Sequence, residues 1–251
     1  MLTKPKKEIS IIIATYNAGK TLERCLHSLI KQKTNEIELL IIDGGSKDTT
    51  LSILYNHKQD IDFSISEPDK GIYDAWNKGM KHATGNWIMF VGADDYLMDG
   101  AIHTYIDFLK NNDTTNIDLI SGKYQYIDTQ GKLIAIYGQP YNFNIFKKYM
   151  NISHGTSLHN KKLFEEVGGF DLNYKICADY ELLSRKKLNT LFINKPLLCM
   201  QVGGMSFSIK GLKETYKIRK QYHYISSLTN IFYFIKGSIG YYIKKRFLGF
   251  K

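Results

Sequence analysis

Four short apolar runs in the first hundred residues leave few choices of fold. They are residues 8–14 (EISIIIA), 37–42 (IELLII), 61–66 (IDFSIS) and 87–91 (WIMFV). They are rich in β-branched and aromatic residues, and three of them are continuous rather than alternating. That is the pattern of strands buried on both faces of a sheet. Between them, residues 21–30 place Leu22, Cys25, Leu26, Leu29 and Ile30 at helical spacing. Residues 48–57 and 73–83 also read as helices, with Asp48 as the expected N-cap of the first. The resulting β-α-β-α-β-α-β order predicts an α/β fold: a Rossmann-like, mostly parallel sheet with helices on both faces. Ligands of such sheets sit at the carboxyl ends of the strands. Three of those ends carry polar loops, ATYNAGK, DGGSKD and GADD, on one edge.

The second half is looser. Residues 119–127 and 132–137 flank a Thr129-Gln130-Gly131 turn and predict a hairpin. Residues 163–167 and 179–187 read as helices, and 191–193 and 197–202 as two short strands. Cys25, Cys177 and Cys199 form no CxxC or zinc pattern, which predicts free thiols in a reducing compartment. The N-terminus is basic but lacks a secretory apolar core, and no run approaches a membrane span. The expectation is a cytoplasmic protein.

Charge separates the chain into two parts. The 34 Lys+Arg and 24 Asp+Glu give +10, and the tail from Met205 holds ten of the bases and a single acid, Glu214. That tail also carries eleven aromatics, among them Phe232, Tyr233, Phe234, Tyr241 and Tyr242. A basic, aromatic helical tail without a span suits an anionic membrane surface at the inner face of the plasma membrane. No nucleic-acid partner is expected. The bland alternative is a solvated, Lys-rich helical face. Projected on a helical wheel, residues 231–247 give no clean apolar stripe.

Two nucleotide-binding readings compete. Residues 14–21 (ATYNAGKT) fit a loose P-loop pattern after a strand and before a helix, which would make the chain a nucleotide hydrolase. The loop has one glycine, however, and bulky residues where a phosphate nest needs permissive backbone. The other reading holds a phosphate-rich donor through a divalent cation bound by hard oxygen ligands in GADD. Adjacent side chains on a strand point apart, so one carboxylate is expected to take the metal and the other to support it. A solvent-exposed turn is the alternative for Asp94 and Asp95.

The series SIIIATYNAGKTLERCLHSL, LLIIDGGSKDTT and EPDKGIYDAWNKGMKHATGNWIMFVGADD resembles the family 2 glycosyltransferases with the GT-A fold. The stretch HGTSLHNKKLFEEVGGFDLNYKICADYELLSR resembles the acceptor-side half of the same enzymes. The resemblance covers about residues 8–206. It implies a nucleotide-binding half near 8–99, an acceptor half near 100–206, and an extension at 207–251. It implies metal-dependent, inverting transfer of a sugar of hexosyl type from a nucleoside-diphosphate sugar, UDP by default, to a saccharide or lipid-linked acceptor in surface polysaccharide synthesis. Manganese or magnesium is the implied cofactor.

By the same resemblance, Ala14, Tyr16 and Asn17 meet the nucleoside, with Tyr16 stacking on the base. Asp43 recognises the base, Lys70 approaches the diphosphate, and Asn77 orients the donor loops. Asp94 takes the metal and Asp95 stands behind it, while Gly92 occupies a position where many members carry a further Asp. Asp179 is the implied general base, and His154, Gly204 and Ser206 shape the acceptor side. Residue by residue, other readings stay open. Asp43 fits a turn before Gly44, Asp179 fits a helix N-cap, and His154 fits a structural histidine. Gly92 leaves room for a non-catalytic relative that binds glycan or membrane.

Overall fold

The structure is a computed structural model that describes residues 7–128, 130–202 and 208–248, the side chains of the last stretch as far as residue 243. The first half alternates as its apolar pattern demands: β1 (Ile9–Thr15), α1 (Leu22–Ile30), β2 (Ile37–Asp43), α2 (Thr50–Asn56), β3 (Phe63–Ser66), α3 (Ile72–His82) and β4 (Trp87–Gly92). There follow β5 (Tyr96–Leu97), α4 (Ala101–Asn111), β6 (Leu119–Ile127), β7 (Leu133–Tyr137), α5 (Phe143–Phe146) and a 3-10 turn (His154–Thr156). The chain continues with β8 (Leu158–Asn160), α6 (Lys161–Val167), α7 (Ala178–Ser184), β9 (Thr190–Gln201), α8 (Ile209–Gln221) and α9 (Ser227–Leu248).

The strands form a single sheet in the order β3-β2-β1-β4-β8-β6-β9-β5, with β7 added to β6. β3, β2, β1 and β4 are mutually parallel, and β8 enters antiparallel beside β4. The sheet separates two cores because alternate side chains leave by opposite faces. Ile9, Ile11 and Ile13 pack with Leu22, Leu26 and Leu29 of α1 and with Tyr105 of α4. Ile12 and Ile42 pack on the other face with Trp76 of α3, Leu182 of α7 and Ile218 of α8. Burying each such side chain stabilises the fold by roughly 1.5–3 kcal/mol.

Several expectations change. The two strands expected at 191–193 and 197–202 are one strand, β9, ending at Gln201, which pairs parallel with β6 and slips register at Lys123–Pro196. Proline cannot donate to a ladder, so the strand bulges there and resumes at Leu198. The helix after Asp48 is capped in position by Thr49. Asp48 instead accepts from the amide and hydroxyl of Thr50. α4, with Ile102, Tyr105 and Ile106 buried, is an additional helix whose spacing was legible in the sequence. The three cysteines are unpaired, as expected.

Candidate functional site

Register puts the polar loops in line. Thr15 pairs with Asp43, Asp43 with Ser66, and Ala14 with Gly92. Four parallel strands therefore end level, on one edge. Asp43 ties three of those ends together. Its Oδ1 accepts from Thr15 Oγ1 at 2.9 Å and Ser46 Oγ at 2.5 Å. Its Oδ2 accepts from the amides of Gly45 and Ser46 and from Ser66 Oγ. Burial pushes this carboxyl up, but the hydrogen bonds from Ser46, Ser66 and Thr15 outweigh it and hold it below the usual carboxylate range. A carboxylate has about four acceptor positions, so Asp43 has none left for a base. The structure differs here from the expected base contact: Asp43 builds the loop.

Further hydrogen bonds between the loops remove the P-loop reading. The amides of Asn17, Ala18 and Gly19 donate to Ser46 Oγ, Thr50 Oγ1 and Asp48 Oδ2. A phosphate nest needs those amides free. Asn17 sits in the left-handed region at φ 49°, and its Oδ1 accepts from the Lys47 amide, which locks the first loop onto the second. Ala14 lies at the end of β1, and Tyr16 stands beyond it, 67% exposed and open to a stacking partner.

A carboxylate that sequence reasoning passed over faces this edge. A Cβ added to Gly44 would lie 2.7 Å from Asp69 Oδ2. Asp69 Oδ1 accepts from the Gly71 amide, while Oδ2 takes no hydrogen bond among the described residues. Its position just after β3, on the ligand edge, was the available signal. Lys70 follows it with an exposed side chain.

Asp94 and Asp95 do not point apart, because β4 ends at Gly92 and both lie in the turn beyond it. A Cβ at position 92 would sit 2.8 Å from Asp94 Oδ1 and 3.2 Å from Asp95 Oδ2. Glycine thus leaves a small cradle on which both carboxylates converge. Asp94 is exposed and Asp95 buried. Burial first, and then the neighbouring Asp94, push the Asp95 carboxyl well up, with Arg24 opposing. Arg24 also donates to the Asp94 carbonyl and to Gln201, and lies over the Tyr96 ring, fixing the turn. Among the described residues no three His, Cys, Asp or Glu side chains cluster closely enough to hold a metal. Two converging oxygens fit a cation that completes its shell with ligand phosphates and water.

Beside this cradle opens a cleft of about 680 Å³, whose walls include Tyr124, Tyr137, Tyr149, His154 and Asp179. Gly155, also in its lining, lies against Asp95: a Cβ there would be 3.9 Å from Asp95 Oδ2. Asp179 therefore lines the same cleft as Gly155, behind which the Asp95 carboxylate lies. It stands at the second position of α7, which Cys177 precedes as N-cap, so the capping role expected for Asp179 is not the one it has. Its Oδ1 accepts from Tyr73 OH at 3.1 Å. Burial pushes its carboxyl up to about 6, against the hydrogen bonds from the Tyr180 amide and Tyr73. The tail's single acid anchors this segment: Glu214 accepts from the amides of Lys175, Ile176 and Cys177.

His154 lines the cleft and is also a core residue. Its ring stacks on Phe90 at 5.2 Å and lies 4.6 Å from His159. Burial, and then His159, hold its pKa well below the usual value, so it is neutral. Asn77 is a latch: its amide donates to the Phe170 carbonyl and accepts from the Phe170 amide, both at 2.9 Å. Both ends of that amide are engaged with Phe170, which fixes its orientation. Gly204 and Ser206 lie outside the described residues. A second cavity, about 550 Å³ beside Glu8, Thr84 and Lys161, lies at the opposite, amino-terminal edge of the sheet and contains none of these residues.

Comparison with known proteins agrees with this geometry. The model of the family described as glycosyl transferase family 2 matches residues 10–168. A PGL/p-HBAD biosynthesis glycosyltransferase of Mycobacterium bovis is 29% identical over 211 residues, 80% of this chain and 79% of that one. S. aureus TarS 1-349 in complex with UDP superposes with a TM-score of 0.62 at 18% identity, covering 90% of this chain and 68% of that one. Of a longer TarS chain, this one spans 39%. The mannosyltransferase PcManGT from Pyrobaculum calidifontis, in complex with GDP-Man and Mn2+, gives 0.67 at 15% identity, covering 96% and 75%. The GT-A fold is thereby shared.

Proposed function

The chain belongs to glycosyl transferase family 2, and we propose that it moves a hexosyl group, with inversion, from a nucleoside-diphosphate sugar to a hydroxyl of a lipid-linked saccharide in surface polysaccharide or glycolipid assembly. One observation carries the reading: Asp179 lines a cleft whose wall at Gly155 backs directly onto the Asp95 carboxylate.

In this reading the donor lies along the carboxyl edge. Tyr16 stacks on the base, uridine by default, and the open Asp69 Oδ2 accepts from it. Asp43, Ala14 and Asn17 shape the loop beneath, Asn77 steadies the wall behind, and Lys70 brings positive charge to the diphosphate. Asp94, supported by Asp95, would hold a manganese or magnesium ion. When bound, such an ion neutralises charge growing on the leaving diphosphate. The acceptor occupies the aromatic cleft, whose tyrosine faces suit a sugar ring. His154 shapes its floor.

Asp179 then takes the proton. Its carboxylate removes hydrogen from the attacking hydroxyl as the new bond to the anomeric carbon forms. The bond from that carbon to the phosphate oxygen breaks on the opposite side, and the nucleoside diphosphate leaves with the electron pair. A carboxyl near 6 is ionised at neutral pH yet basic enough to hold that proton. The TarS and PcManGT complexes with UDP and with GDP-Man and Mn2+ support a nucleotide-bound donor. Among the described residues no helix is long and apolar enough to cross a membrane. We place the enzyme at the cytoplasmic face of an anionic membrane, held by its basic extension.

Calorimetric titration with a panel of nucleoside diphosphates, with and without manganese, tests the donor site. One diphosphate should bind only with metal, and Asp94→Asn should abolish that binding. Equal, metal-independent binding by wild type and variant would remove the metal from the account.

A further inference from the structure

α9 carries apolar side chains on two faces, which is why no single stripe stands out in its sequence. One face packs on α8: Asn230 Nδ2 donates to the Tyr216 carbonyl, the Phe234 ring lies 5.8 Å from that of Tyr216, and Gly237 meets Leu212. On the other face Leu228, Phe232, Ile235, Ile239, Tyr242 and Ile243 are 82, 59, 52, 55, 63 and 53% exposed. They recur at helical spacing and form one continuous band directly opposite the packed face. A band of this kind in water marks an interaction surface.

The chemistry of the neighbouring helix says what it meets. Lys210, Lys213, Lys217 and Lys220 recur at helical spacing along the exposed side of α8. Lys213 and Lys217 flank a groove of about 400 Å³ between the two helices, closed by Tyr216, Ile231 and Phe234. No acid balances these lysines on α8, because Glu214 is turned to the backbone of residues 175–177. The outward apolar band of α9 and the lysine-flanked apolar groove beside α8 together offer hydrocarbon contact and positive charge, which match an anionic lipid surface.

We propose that α8 and α9 form an in-plane docking surface for a bilayer containing anionic phospholipid. The α9 band enters the boundary between headgroups and acyl chains. The groove takes one acyl chain, and Lys213 and Lys217 meet its phosphate. α9 is long, at 22 residues, but too polar to span, so it lies flat. The unit is also fixed to the catalytic cleft. Glu214 holds the segment before Asp179, and Arg219 donates to the Lys148 carbonyl, next to Tyr149 in the cleft wall. Docking would therefore set the height of the cleft above the membrane. This purpose rests on the reading of a lipid-linked acceptor, while the docking itself does not.

The test is co-sedimentation of the full chain, without donor or acceptor, with vesicles of phosphatidylcholine alone or mixed with phosphatidylglycerol. Wild type should prefer the anionic vesicles by at least about tenfold. A Phe232→Ser/Ile235→Ser/Ile239→Ser variant, altered only at exposed positions, should bind about a hundredfold more weakly. Lys213→Glu/Lys217→Glu should lose the anionic preference. Nucleoside-diphosphate binding should be unchanged in both variants, which shows that they are folded and keeps this test apart from that of sugar transfer. Undiminished vesicle binding by the serine variant overturns the proposal. So does equal binding of wild type to both vesicle types. Self-association of wild type that the serine variant abolishes would instead assign the band to a second copy of the chain.

Discussion

Replacing Tyr73 by Phe should move the pH at which the enzyme loses activity on the acid side. The Tyr73 hydroxyl has one proton and two acceptors: the Ile176 carbonyl at 2.6 Å and Asp179 Oδ1 at 3.1 Å. Donation to an ionised carboxylate is worth roughly 1.5–3 kcal/mol. Because the carbonyl competes, the lower figure applies, about 1.5 kcal/mol, or about one pKa unit. Burial already lifts the Asp179 carboxyl to about 6. In the proposed mechanism the ionised form is the base, so activity is present above that pH and falls as pH drops through it. Removing the donor destabilises the ionised form and raises the pKa. The acid limb of kcat/KM should therefore lie near pH 6 in wild type and about one unit higher in Tyr73→Phe. The other groups facing Asp179 are Glu214 from α8 and Cys177 beside it, and neither is altered. The lost bond to Ile176 should also cost about 1 kcal/mol of stability in urea unfolding. A variant with that stability loss and an unmoved acid limb would refute the coupling of Tyr73 to the base.

Two further changes separate construction from contact. Asn77→Leu should lose about 2 kcal/mol of stability from its two bonds to Phe170, with nucleoside-diphosphate affinity unchanged. Full stability with lost affinity would make Asn77 a donor ligand after all. Asp43→Asn should destabilise by about 3 kcal/mol at neutral pH, since an amide nitrogen then faces donors. The Asp43 carboxyl is held low, so its contribution is present above the ordinary carboxylate pKa and lost as pH falls through the depressed one. Urea midpoints of variant and wild type should accordingly converge in strong acid, and a gap independent of pH would contradict the saturated hydrogen bonding.

The sheet was legible because strands buried on both faces leave unbroken apolar runs, as in β1, β2 and β4. The second half was harder. β9 reads as two strands because Pro196 interrupts the ladder and not the strand. α9 hides its outer band because its inner face is apolar too. At the site, the chemistry-bearing types stood out, but their division of labour did not. Asp43 and Asp69 are both aspartates at strand ends, and only the hydrogen bonds show which carboxylate is saturated. The convergence of Asp94 and Asp95 depends on where β4 stops, a boundary that no residue type announces. Glu214 drew notice only as the acid of a basic tail, whereas it pins the backbone ahead of Asp179 from a helix some forty residues downstream.

The central claim is that Asp179 is the base of a sugar transfer whose donor is held elsewhere. The measurement is transfer by Asp179→Asn from a UDP-sugar donor under single-turnover conditions, with nucleoside-diphosphate affinity read on the same preparation. The account predicts a rate lower by about a thousandfold and an affinity equal to that of wild type. A near-normal rate, or an affinity lost along with the rate, would contradict it.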